Sequence, residues 1–104
     1  MNAQEILDKI GGQEGVRCYL RGVEEGSETD RDAQRSMLAA IGSMRAAGVY
    51  EAMVNAEPEL YAQACLLLCR MWTDAEDGLS EKILAQYRAT MLQLRYDKRN
   101  MEEG

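Results

Sequence analysis

The stretch PELYAQACLLLCRMW, residues 58–72, is apolar nearly all round, and its reading decides the fold. A helix without a polar face is the buried centre of a domain. The run is also far shorter than the ~20 apolar residues that a bilayer crossing needs. Pro58, the only proline, suits a first helical position, where its fixed φ fits and its missing N–H is no loss. The sequence therefore predicts a central helix over about 58–73, with Tyr61, Ala64, Cys65, Leu67, Leu68, Met71 and Trp72 in the core.

The neighbouring segments read as helices that pack on it. Upstream, Ala33, Met37, Ile41 and Met44 recur at spacings of three and four, with Leu38 widening the stripe, which predicts a helix over 30–47. Thr29 or Asp30 is its expected cap. Gly48 fits the left-handed position after it, and Val49 is placed to pack back in a Schellman stop. Downstream, Leu84, Tyr87, Met91 and Leu94 form a narrow stripe. Ser80 is the expected cap there, and Leu79 with Leu84 the expected staple.

The N-terminal part adds a helix over Ala3–Ile10, capped by Asn2 with Glu5 three residues later and ended by Gly11-Gly12. A short helical segment over 13–21 stops at Gly22, and the acidic loop EEGSETDRD covers 24–32. No segment alternates like a strand. The expectation is an all-α protein: one bundle of four to five helices over residues 1–97, a linker at 50–57 with room for a helical turn, and a flexible polar tail at 98–104. Ile41 and Leu84 complete the predicted core.

Composition agrees. There is no Phe and one Trp against seven Met, and Leu, Met and Ala are strong helix formers. Met37, Met44, Met71 and Met91 sit on apolar stripes and read as core, although Met also suits adaptable binding surfaces. No apolar leader or membrane span is read, so a cytoplasm is the expected compartment. The odd cysteine count, with no framework spacing, predicts structural thiols at Cys18, Cys65 and Cys69 rather than disulfides.

The residue inventory weighs against catalysis. With no His, the commonest general base is missing and no Ser/His or Cys/His arrangement is available. Cys65 and Cys69 lie four apart on one helix, but too few soft ligands remain for a tetrahedral zinc site. The paired glycines lack the spacing of a phosphate loop, and the acids around Asp30 lack the Gly and final Glu of a calcium loop. No enzyme, metal or cofactor is expected. The net charge of −6 is shared evenly, nine acids and six bases in each half. It disfavours sequence-specific duplex binding, because phosphates are repelled. Arg88, Arg95, Lys98 and Arg99 read first as a polar helix face suited to the C-terminal dipole, and second as contacts for an acidic partner.

Three stretches, taken together, resemble the head–tail connector (head-completion, DNA-packaging adaptor) family of tailed bacteriophages. EGVRCYLRG, an acidic loop and DAQRSMLAAIGSMRAAGV are similar to the family's short helix, acidic turn and long first helix. PELYAQACLLLCRMWTDAED is similar to its central helix, and ILAQYRATMLQLRYDK to its closing helix. The resemblance covers about residues 14–98 in the family's order. Two departures stand out: Thr73, Asp74, Ala75 and Glu76 replace the family's Asn-Arg-Glu type corner, and the helix over Ala3–Ile10 is an addition.

The resemblance implies a non-enzymatic virion protein of the head–tail junction, present in the host cytoplasm during assembly. It would form a homo-oligomeric ring on the portal protein, extend the DNA channel without gripping DNA, and support the next tail-completion protein. Tyr87, Arg88, Met91, Arg95, Tyr96, Lys98 and Arg99 are the expected oligomer or portal contacts. The competing expectation is a small acidic protein of a phage or mobile element that inhibits a host factor by binding it; clustered carboxylates on one face would distinguish it.

Overall fold

In a computed structural model, which describes residues 1–20, 23–73 and 77–103, Pro58 opens the central helix as its first residue. The described residues form seven helices and no strand. They are α1 (Ala3–Lys9), α2 (Gly12–Tyr19), α3 (Glu28–Met44), α4 (Ala52–Ala56), α5 (Pro58–Thr73), α6 (Asp77–Arg95) and α7 (Lys98–Glu103). The all-α bundle is as the sequence predicts, with two short helices, α4 and α7, beyond the expected number.

α5 lies between α3 and α6, and α1 and α2 cover α3. The α3–α5 seam is the core. Met37, Ala40, Ile41 and Met44 of α3 meet Tyr61, Ala64, Cys65, Leu68 and Cys69 of α5, and Leu67 is also buried. Sγ of Cys69 lies 4.0 Å from Sδ of Met37. Small residues at 40, 64, 65 and 69 let the two helices approach closely, and the unbranched Met side chains fill what remains. Each fully buried Leu or Met contributes on the order of 2 kcal/mol to this seam.

Local signals placed several boundaries correctly. Oδ1 of Asn2 accepts from the Glu5 N–H at 2.9 Å, capping α1. Gly48 has φ +90°, its N–H donates to the Arg45 carbonyl at 3.0 Å, and the Val49 N–H donates to Met44 at 2.9 Å. Those two bonds define a Schellman motif, and Val49 packs back at 1 % exposure.

Other expectations are corrected. Ser27, not Thr29 or Asp30, caps α3: its Oγ accepts from the Asp30 N–H at 3.1 Å. α6 begins at Asp77, so Ser80 lies inside the helix rather than capping it; the Leu79 side chain of the expected staple lies outside the described residues. The buried stripe of α6 is Ile83, Thr90, Met91 and Leu94 with Tyr87 beside it, whereas Leu84 is only half-buried. Thr90 is buried without penalty because its hydroxyl donates to the Gln86 carbonyl and accepts from Gln63. At the end of α5, Met71 is half-buried and Trp72 is 51 % exposed, since no described element covers the last turn. Gly22 and the corner Asp74-Ala75-Glu76 lie outside the described residues.

The largest correction is the tail. Residues 98–103 form α7, docked on α4 and α6. A polar residue holds it: Asn100 is 2 % exposed and satisfies three backbone groups, which hydropathy does not reveal.

Candidate interaction surface

Each end of α3 is held by one buried polar residue, Asp30 at the start and Asn100 at the finish. At the N-terminal end, Asp30 is buried and its carboxylate accepts from Arg17 Nε at 2.9 Å, Gln13 Nε2 at 2.8 Å and the Gly26 N–H at 3.0 Å. Gly26 has φ +78°, a conformation that glycine adopts without strain, and this aims its N–H at Asp30. The Arg17 bond, then those of Gln13 and Gly26, hold the Asp30 carboxyl at about 2, well below the usual carboxylate range. Burial opposes the shift and loses.

This cluster pins the acidic loop against α2 and leaves Glu24, Glu25 and Glu28 facing solvent. None of the three closes a salt bridge among the described residues. Near the start of α3 a groove is lined by Tyr19, Leu20, Val23, Asp32, Ala33 and Arg70, so a carboxylate and a base share its wall.

At the C-terminal end of α3 bases and carboxylates are mixed: Glu51, Glu57, Asp97 and Glu103 lie among Arg45, Arg95, Lys98 and Arg99. Asn100 ties the corner together: Oδ1 accepts from the Tyr50 N–H at 2.7 Å, and Nδ2 donates to the carbonyls of Gly48 at 2.9 Å and Arg95 at 3.1 Å. Glu103 caps α4 by accepting from the Ala52 N–H. Arg99 donates to Glu57 at 3.0 Å and to both carboxylate oxygens of Asp97, which holds Asp97 at about 2. The Arg95 stem runs over Gly48, where a Cβ would meet its Cδ at 3.2 Å. Arg45, Arg95 and Lys98 are exposed there with no salt bridge among the described residues.

The outer side of α6 and α7 exposes apolar surface, and Leu92 also shares a pocket with Tyr19 of α2. Leu92 is 48 %, Tyr96 68 % and Met101 60 % exposed. Ala85, Arg88, Ala89, Leu92 and Tyr96 share the outward face of α6, opposite its buried stripe. Leu92 and Tyr96 line a shallow groove with Leu60, Gln93 and the carboxylates Glu57 and Asp97.

Of the contact residues expected from the sequence, Arg88, Arg95, Tyr96 and Lys98 are outward. Met91 is not: it is 4 % exposed and part of the core, and Tyr87 is half-buried against that core. Arg99 is exposed but engaged with its two carboxylates. Leu92 and Met101 were missed, yet Leu92 falls off the Met91–Leu94 stripe and that offset was readable.

No family model matches this chain, and neither a curated protein nor a solved structure matches it. Its chemistry is therefore read from its own groups. Burial pushes the thiols of Cys65 and Cys69 up, the latter to about 11, so both stay protonated at neutral pH. Cys18, expected with them as a structural thiol, is instead exposed. Among the described residues no His/Cys/Asp/Glu group is placed to hold a metal ion, and no helix is long and apolar enough to cross a membrane.

Proposed function

We propose that this chain is a structural subunit that works by assembly, a head–tail connector of a tailed bacteriophage. It joins further copies in a ring on the portal, extends the DNA channel and supports the next tail component. The observation that carries the reading is the exposed apolar face of α6 and α7, where Leu92, Tyr96 and Met101 stand near Arg95 and Lys98, which close no salt bridge among the described residues. Leaving such side chains half exposed forgoes on the order of 1 kcal/mol each, which burial against a neighbour would recover. The helix order, short helix, acidic loop, long helix, central helix and closing helix, supports the same reading through the family resemblance.

Net acidity suits a lumen through which DNA must slide, because weak repulsion prevents tight phosphate contacts. The exposed acids are interleaved with Arg31, Arg35 and Lys82, which favours assembly over the inhibitor reading, since that one calls for carboxylates clustered on one face. Native mass measurement of the chain alone and with the portal tests the proposal. Multimers, or a complex carrying many copies per portal, are expected; a chain that stays monomeric and ignores the portal overturns it.

A further inference from the structure

We propose that α7 is a latch: it undocks from the segment 48–57 as one unit while the α3–α5 core stays folded. The device belongs to the single chain and holds whether or not copies assemble.

α7 lacks what holds the other helices in place. Each of α1 to α6 contributes at least one residue to the hydrophobic core, whereas no side chain of residues 98–103 belongs to it. Met101, the only apolar residue of α7, is 60 % exposed. With six residues, α7 is also well below the ~12–15 at which an isolated helix becomes even marginal in water. Segments with few buried apolar contacts are the ones that open locally.

The bonds that do hold it are polar and converge on one place. Apart from the Asn100 bond back to Arg95, the hydrogen bonds from α7 to other elements all reach the segment 48–57 among the described residues. Asn100 donates to the Gly48 carbonyl and accepts from the Tyr50 N–H, Glu103 accepts from the Ala52 N–H, and Arg99 donates to Glu57. On release each group exchanges its partner for water, so the net gain from each bond is small. The bonds between Asp97 and Arg99 are internal to the segment and do not tie it down.

Release is expected to be cooperative. Asn100 and Glu103 are three residues apart on one short helix, and an undocked helix of this length cannot keep the second in place once the first has left. Only Tyr96 and Asp97 separate α7 from α6, which puts the hinge at those two residues. α4 stays behind, because Met53 and Val54 anchor it in the core. Opening therefore frees the Gly48 carbonyl and the N–H groups of Tyr50 and Ala52 in an otherwise intact fold.

Amide hydrogen exchange in the folded chain tests this. Tyr50 and Ala52 each have their acceptor on α7, so their exchange reports its opening. Both should exchange at least about 100-fold faster than the Cys65 and Leu68 amides of α5, at a rate unchanged by sub-denaturing urea because little surface is uncovered. Crossed variants test the single unit: Asn100→Ala should speed Ala52 and Glu103→Ala should speed Tyr50, each about tenfold or more, although neither removes that amide's own acceptor. Circular dichroism confirms that each variant is folded; where Asn100→Ala is not, Glu103→Ala and the wild-type rates decide. Tyr50 and Ala52 amides as slow as that of Cys65, with the same urea dependence, overturn the latch. Variants that each speed only the amide they unpair overturn it as well.

Discussion

Nδ2 of Asn100 donates to the Gly48 carbonyl at 2.9 Å, joining the last helix to the corner that ends α3. With its bonds to Tyr50 and Arg95, this one amide pairs three backbone groups. Replacing Asn100 with Ala should cost about 2–3 kcal/mol in urea unfolding, because the partners are left buried and unpaired. A loss below about 0.5 kcal/mol would show that α7 does not hold the corner.

Gly48→Ala acts on the same corner from the other side. The residue has φ +90° and a Cβ there meets the Arg95 stem. A destabilisation of about 1–2 kcal/mol is expected from the left-handed backbone alone. Arg95→Ala should relieve the steric part and leave the backbone part, which a double-mutant cycle measures.

Asp30 sets an acid limit. Its folded pKa of about 2 lies below the unbound value of 3.8, so its contribution is complete above about pH 4. That contribution is lost as pH falls from about 4 towards 2. Asp30→Asn should lower the melting temperature at pH 7 and flatten the stability profile across that window. An unchanged profile would mean the Arg17 and Gln13 contacts do not stabilise the fold.

The thiols report burial directly. Cys18 should react with an aromatic disulfide reagent in the native protein, whereas Cys65 and Cys69 should react only on unfolding. Three rapidly reacting thiols would contradict the α3–α5 core.

Trp72, the only tryptophan, is half exposed. Its emission should be red-shifted in the isolated chain, near that of a solvated indole. A blue-shifted maximum in a demonstrably monomeric sample would contradict the exposed end of α5.

Much of the fold was legible because its signals are local. Asn2, Gly48 and Pro58 act on their own backbone neighbourhood, so a helix start, a helix stop and a first turn follow from three side chains. The core of α5 was legible down to individual residues from Tyr61 to Leu68, since an all-round apolar helix has one place to go. The surface was less so. Met91 and Leu92 are adjacent apolar residues on one helix, and only the direction from which α5 approaches α6 buries the first and exposes the second.

The sequence by itself determined the all-α class, the central helix and its chemistry, and the lack of a histidine for acid–base work. The tertiary structure decided what happens at the ends. It turned Asp30 from an expected cap into a buried anchor, turned the expected loose tail into a docked helix, and moved Trp72 out of the core. Each of those outcomes depends on partners 13 to 52 residues away or on cover that no described residue supplies. Hydropathy and helical spacing describe a residue and its near neighbours. They carry no record of which distant carbonyl an asparagine will reach.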